Sequence, residues 1–331
     1  SDAAEILASV SINDSKSTVM DLSCGSGKLL VASNHRINEL HKNNALNQIF
    51  GVELMQIPSC LAVINLFLEN PDVKSSTNIA NSDSLHLEPD SQISMLKSNE
   101  STSKISKVDT IIMNPPFTRQ ESLEKNQKDA LETRFSKYDI VDKRIGLHGY
   151  FILLGNEFLK EGGILALVLP ATVLRIKSFV KLRKYLVDNF QIKYLIVSNK
   201  SSSFSFNSRF REILLVAKKG IPKKADKVRI AVLNEKPVLG ENVKEIISTL
   251  TKNSSTSLDT INMIDIENKI FSENYQNLFK FISLSKENVF QTYNKIFLNN
   301  KHLTKFKEYC NKHDHKLIRG WETLRSKHPV Q

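Results

Sequence analysis

Asn114-Pro115-Pro116-Phe117 closes a short apolar run, Val108 to Met113, which reads as a buried parallel strand. Two consecutive prolines fix the backbone and remove two donors, so the carbonyls of Asn114 and Pro115 are not used up in a continuing ladder. A rigid set of acceptors then stands beside a flat aromatic face. That combination suits a planar group carrying an NH2. A strand end followed by an ordinary turn would use the same four residues, so the reading depends on what else the chain brings to that place.

Val19-Met20-Asp21-Leu22-Ser23-Cys24-Gly25-Ser26-Gly27 is a strand running into a Gly-x-Gly turn and then a helix. Glycines let a backbone turn tightly and approach a ligand closely. A P-loop is excluded, because Lys28 follows Gly27 but the preceding glycine and the following Ser or Thr are missing. The dinucleotide fingerprint is incomplete, with Leu30 where its third glycine would stand. A shorter turn suits a ligand without a pyrophosphate. Glu53 closes the next strand, where an acid can accept from both hydroxyls of a ribose. Asp83 follows the third strand and could accept from an adenine amino group. Each acid alone is an ordinary solvated loop residue. Together with the glycine turn and Asn114-Phe117 they end four successive strands, the edge at which open α/β sheets bind ligands.

The elements that must position these residues alternate. Strands are expected at Thr18–Leu22, Ile49–Glu53, Thr77–Asn81, Val108–Met113, Ile164–Leu169, Ile192–Val197 and Glu212–Ala217, with helices at Leu29–Lys42, Pro58–Glu69 and Tyr150–Glu161. The pattern calls for a mostly parallel sheet with helices on both faces. The polar Ser198–Arg211 joins the last two strands as a hairpin, which places one antiparallel strand at the sheet edge. Glu88–Lys107 reads as a long surface loop. Thr118–Gly149 carries a helix around Glu121–Phe135, either a lid over the site or a solvated helix. Composition shifts after Gly220. There Lys227–Leu233 reads as a strand, Glu241–Thr251 as a helix and Leu278–Cys310 as largely helical. The division expected is a catalytic domain over 1–220 and a mainly helical extension over 221–331. The closing Ile318-Arg319-Gly320-Trp321 offers no terminal element, so more protein is expected to follow.

The chain has 331 residues, 40% hydrophobic and 24% charged, with a net charge of +11. A polyanion is the natural partner for that charge, nucleic acid first. Cys24, Cys60 and Cys310 form neither a zinc pattern nor a disulfide framework, which points to the reducing cytoplasm. Ser1 to Leu7 show no secretory signal, and the apolar stretch Ile164 to Leu174 is too short for a membrane span and is broken by Pro170.

With these motifs the chain resembles the class I S-adenosylmethionine-dependent methyltransferases, and among them the amino-group DNA methyltransferases that form N6-methyladenine. Asp21-Leu22-Ser23-Cys24-Gly25-Ser26-Gly27 is similar to their first motif, and Asn114-Pro115-Pro116-Phe117 to their catalytic one. The order of the two resembles the γ group, which includes type I modification subunits and fused type II restriction–modification enzymes. Gly162–Pro170 and Arg211–Val216 look like later strands of that group. The resemblance implies a Rossmann-like fold with a seven-stranded sheet and one antiparallel strand. It implies S-adenosylmethionine as cofactor, held by Asp21 near the methionine ammonium, by Ser23 and Cys24 in the turn, by the close approach that Gly25 and Gly27 allow, by Glu53 on the ribose, by Leu54 against the adenine ring and by Asp83 at the adenine amino group. Asn114 and Pro115 would accept from the target amine, with Pro116 stiffening the motif and Phe117 stacking on a base flipped out of DNA.

Leu22 replaces the family's usual proline, and Ser1–Ser17 show no match to the family's Phe-x-Thr-Pro-like cap. No target-recognition domain is visible, so sequence specificity is expected from further residues or a specificity subunit. Same-fold enzymes acting on rRNA guanine or on a protein glutamine also carry Asn-Pro-Pro, though they usually have Gly at Ser23-Cys24. A non-catalytic DNA- or cofactor-binding module is the reading from a different class.

Overall fold

The computed structural model describes residues 2–41, 45–69, 77–96, 101–117, 123–140, 145–198, 204, 211–234, 242–252, 260–283, 289 and 292. Helix α1 (Asp2–Ser11) leads into strand β1 (Val19–Asp21), α2 (Lys28–Leu40), β2 (Ile49–Glu53), α3 (Gln56–Glu69) and β3 (Asn78–Asn81). A hairpin of β4 (Gln92–Met95) and β5 (Ser101–Lys104) precedes β6 (Val108–Met113). Then come α4 (Lys125–Arg134), α5 (Gly146–Phe158), β7 (Leu159–Pro170), α6 (Val180–Asn189), β8 (Phe190–Ser198) and β9 (Glu212–Lys219). The described elements finish with β10 (Lys227–Leu233), α7 (Asn242–Thr251), β11 (Ile261–Glu267), α8 (Asn268–Glu273) and α9 (Lys280–Ser283).

The main sheet runs β3-β2-β1-β6-β7-β9-β8-β10-β11. Strands β1, β2, β3, β6 and β7 are parallel to their neighbours among themselves, so β1, β2, β3 and β6 deliver their C-terminal ends to one edge. β9 is antiparallel to both β7 and β8. The seven strands read from the sequence are all present, and the architecture is the expected α/β one, a mostly parallel sheet with helices on both faces.

Several expectations change. β9 is not at the edge but between β7 and β8. Its first six residues are all buried, and the unbroken apolar run Ile213–Ala217 needs cover on both faces and flanks. The region after Gly220 is not mainly helical within the described residues. β10 pairs parallel with β8, β11 pairs antiparallel with β10, and the sheet widens to nine strands. Residues Ser1–Lys286 accordingly form one compact unit, with no break at Gly220, and Glu287–Gln331 fall in a second. Beyond α9 most of the helical stretch expected to Cys310, and the whole closing tail, lie outside the described residues. Glu88–Lys107 is no plain loop, since β4 and β5 pair in it and bury Ile93 and Met95.

The helix expected over Tyr150–Glu161 ends at Phe158, and Leu159–Glu161 start β7 instead. The register between β6 and β7 shifts here, next to Gly162 at φ +75°, a conformation that breaks a helix and suits a bulge. α1, α2, α3 and α7 cover one face of the sheet around a core that includes Ile6, Leu7, Leu30, Ile112 and Leu214. α5, α6, α8 and α9 pack on the other. α1 was not foreseen in Ser1–Ser17, although its Ala3, Ala4, Ile6, Leu7 and Val10 are buried. Among the described residues no helix is long and apolar enough to cross a membrane.

Candidate active site

The first strand ends in Asp21, 1% exposed. Its Oδ1 accepts from the Ser23 amide at 2.9 Å. Burial, reinforced by the nearby Glu53 charge, pushes the Asp21 carboxyl up to about 8. A carboxyl in that state is stabilised as an anion by an arriving cation. The turn that follows needs its glycines. Gly25 sits at φ +52° and Gly27 at φ +80°, and the Gly27 amide donates to the Cys24 carbonyl at 2.8 Å. A Cβ on Gly27 would meet Ala62 at 3.1 Å, so this glycine also lets α2 and α3 close up. Cys24 is buried in the core, and its thiol is pushed up by burial and then by the charges of Asp21 and Glu53.

Glu53 bridges two turns. Its Oε2 accepts from the Gly25 amide at 2.8 Å and its Oε1 from the Met55 amide at 2.9 Å. The end of β2 is held in turn by Asn81, whose Nδ2 donates to the carbonyls of Glu53 and Leu54, both at 2.9 Å. Asp83 caps the short turn Ser84–His86, accepting from the Leu85 amide at 3.0 Å. The Ser84 hydroxyl reaches across to the Leu22 carbonyl, tying the third strand end to the first.

These ends and that of β6 surround one cavity of about 600 Å³. Of the residues singled out in the sequence, Ser23, Glu53, Leu54, Asp83, Asn114 and Pro116 line it. Asp21, Cys24, Gly25, Gly27, Pro115 and Phe117 are not part of its described wall. Ser23 Oγ donates to the Asn114 carbonyl at 3.4 Å, so that carbonyl is taken and the motif is fastened to the glycine turn. Phe117 packs partly on the core.

Sequence reasoning missed several residues of the site. The helix foreseen around Glu121–Phe135 is α4, set by a capping box between Glu124 and Gln127. It is no solvated helix only, because Asn126, Gln127, Ala130 and Leu131 line the cavity, with Leu147 and Phe151 of α5 beside them. His148 meets Phe117 edge-on, centroids 6.4 Å apart. It is 4% exposed, neither ring nitrogen has a hydrogen-bond partner among the described residues, and burial pulls it down to about 4. It is thus a neutral ring at neutral pH. A lone histidine in an apolar helix gives no sequence signal for this placement.

The model of the family "N-6 DNA Methylase" matches residues 2–237. The chain belongs to the N-6 DNA methylase family. The match spans α1 through β10 and so includes every strand end around the cavity. Among similar proteins, the type II methyltransferase M.BstVI of Geobacillus stearothermophilus is 29% identical over 34% of this chain and 20% of its own length. The methylase subunit of the type I restriction enzyme EcoEI of Escherichia coli is 28% identical over 62% of this chain and 39% of its own. The chain therefore spans well under half the length of these N-6 DNA methylase relatives. Two solved structures share its fold. The type IIG restriction endonuclease BpuSI superimposes with a TM-score of 0.67 at 14% identity, over 97% of this chain and 39% of that one. The type I restriction–modification methyltransferase subunit from Streptococcus thermophilus gives 0.58 at 20% identity, over 83% and 56%.

Proposed function

We propose that the protein transfers a methyl group from S-adenosylmethionine to the 6-amino group of adenine in DNA, within a restriction–modification system. The observation that carries this reading is the placement of Asn114 and Pro116 on the wall of the same cavity as Glu53 and Asp83. A donor site and an acceptor site then share one space. The family match favours DNA adenine over rRNA guanine or protein glutamine.

The residues present fit the cofactor. The buried Asp21 carboxyl suits its ammonium, the braced Glu53 carboxylate suits the ribose hydroxyls, exposed Leu54 and Met55 offer an apolar wall to an adenine ring, and Asp83 suits the amino group. Ser23, Cys24, Gly25 and Gly27 shape the turn. When bound, S-adenosylmethionine supplies an electrophilic methyl group.

The 6-amino lone pair of adenine is delocalised into the ring, so the nitrogen is a poor nucleophile. The Asn114 side-chain carbonyl and the Pro115 carbonyl accept hydrogen bonds from its two N–H groups, and one of those protons leaves to solvent once the methyl group is in place. The two carbonyls favour a pyramidal nitrogen and stabilise the positive charge that builds on it. Pro115 and Pro116 keep these acceptors from relaxing. Phe117 stacks on the base, backed at its edge by His148. Delivering the base costs about a few kcal/mol of unstacking, and orientation supplies most of the rate enhancement.

DNA is the partner, with a specificity subunit or further residues of the full protein choosing the sequence. The cytoplasm is the compartment in which these partners meet. Labelled methyl transfer to duplex DNA, followed by digestion to nucleosides, tests the reading. N6-methyladenine is the expected product; label in rRNA or protein instead would overturn it.

A further inference from the structure

We propose that Ile176 is a wedge that enters the DNA duplex as the target adenine leaves it. The proposal rests on the adenine-methylation reading above. β7 lies beside β6, and Leu167 pairs with Met113, the last residue of β6. β7 continues to Pro170, so the loop after it rises from the sheet edge that carries Asn114. In that loop Ile176 stands between two short 3-10 turns, Ala171–Leu174 and Lys177–Phe179, with extended backbone at φ −68° and ψ 139°.

The backbone beneath Ile176 is pinned. Its amide donates to the Thr172 carbonyl at 2.9 Å, and its carbonyl accepts from the Phe179 amide at 3.1 Å. The same carbonyl accepts from Nη1 of Arg183 at 2.9 Å. Arg183, only 1% exposed, also donates to the carbonyls of Val173 at 2.6 Å, Tyr275 at 2.6 Å and Gln276 at 2.7 Å. Burying a guanidinium is costly unless its donors are matched. Here four carbonyls match it and lock the loop in one shape. On this fixed base Ile176 is 42% exposed, and its β-branched side chain has little freedom of its own.

The surroundings say what the side chain meets. Arg175 and Lys177 flank it, both exposed, and suit a phosphate backbone on either side. A single stiff apolar residue between two cations fits a base step, in the way isoleucine wedges part stacked bases. A protein partner would favour a wider apolar patch. The loop is also coupled to the acceptor motif. The Phe179 ring lies 5.1 Å from His148, which touches Phe117. The wedge and the base-stacking ring therefore keep a fixed separation.

The test uses the full-length protein and a duplex oligonucleotide holding one methylation site mapped on unmethylated plasmid DNA. The target adenine either is paired or faces an abasic site, which removes most of the cost of extrusion. Ile176→Ala is expected to slow methylation of the paired duplex roughly tenfold or more, given the few kcal/mol that unpairing costs. The abasic duplex should restore that variant to within about threefold of wild type, and Ile176→Leu should keep the paired rate within about threefold, since both relieve or retain the same term. Equal rates for Ile176→Ala and wild type on the paired duplex, or an equal loss on both duplexes, would overturn the wedge while leaving adenine methylation standing. A wild-type protein that labels no adenine in either duplex would overturn the underlying reading and the wedge with it.

Discussion

Ser23 Oγ donates to the backbone carbonyl of Asn114 at 3.4 Å, so the glycine turn at the end of β1 and the acceptor motif at the end of β6 are joined directly. The contact fixes the motif relative to the turn without using the Asn114 side chain. Ser23→Ala is expected to lower the methyl-transfer rate roughly two- to tenfold, the scale of one neutral hydrogen bond. Cofactor affinity measured by calorimetry should change less than the rate. A variant with a wild-type rate would show that the contact does not position Asn114.

Glu53 holds the two turns that frame the cofactor end of the cavity through the amides of Gly25 and Met55. Glu53→Ala loses both charge-assisted bonds and, on the proposed reading, the ribose acceptor. The dissociation constant for S-adenosylmethionine should rise at least tenfold, on a scale of about 1.5–3 kcal/mol per such bond. An unchanged constant by calorimetry would remove Glu53 from the cofactor site.

Asp21 sets a pH dependence with a definite sign. Its carboxyl titrates in the ordinary range when unfolded and at about 8 when folded. The folded protein therefore holds the extra proton between those values, and stability falls as pH rises through that window. Asp21→Asn removes the titration. Without cofactor, the wild type should lose more thermal stability than the variant between pH 6 and pH 9, read by paired melting curves. Parallel losses in the two proteins would contradict an Asp21 carboxyl held up by burial.

The two glycines of the turn should separate on substitution. Both require positive φ, which costs an L residue roughly 1–2 kcal/mol. A Cβ at Gly25 meets nothing within 4 Å, whereas one at Gly27 presses on Ala62 at 3.1 Å. Gly27→Ala should thus be destabilised by about 1 kcal/mol or more beyond Gly25→Ala in urea titration, the added term being overpacking. Equal losses would mean that α2 and α3 yield freely at Ala62.

If DNA is the partner proposed, the basic balance of the chain, +11 overall, should give its binding a steep salt dependence, since each phosphate neutralised releases counterions. Titrations between low and physiological salt should show affinity falling by orders of magnitude. A flat profile would argue against phosphate contacts.

The strand ends around the cavity were legible because contiguous residues mark them in the sequence. Asn114–Phe117, Asp21–Gly27 and Glu53 each end a strand whose bounds follow from a local apolar run, and the observed bounds of β2 and β6 coincide with the reading. Pairing order is not a local property, so the interior position of β9 was not visible, although the buried run Glu212–Ala217 hinted that it needed neighbours on both sides. β11 carries only a broken signal, since the alternating pieces Ile261-Asn262-Met263 and Ile264-Asp265-Ile266 meet at two consecutive apolar, buried residues. His148 and Arg183 could not be read at all. Each is one polar residue in a helix, and its role comes from partners distant in sequence: Phe117 for the first, Tyr275 and Gln276 for the second.

Asn114 as acceptor is tested by the methyl-transfer rate of Asn114→Ala on duplex DNA, measured beside its affinity for S-adenosylmethionine. Transfer to adenine is expected to be abolished while the dissociation constant stays close to wild type. Unimpaired methylation by this variant would contradict it.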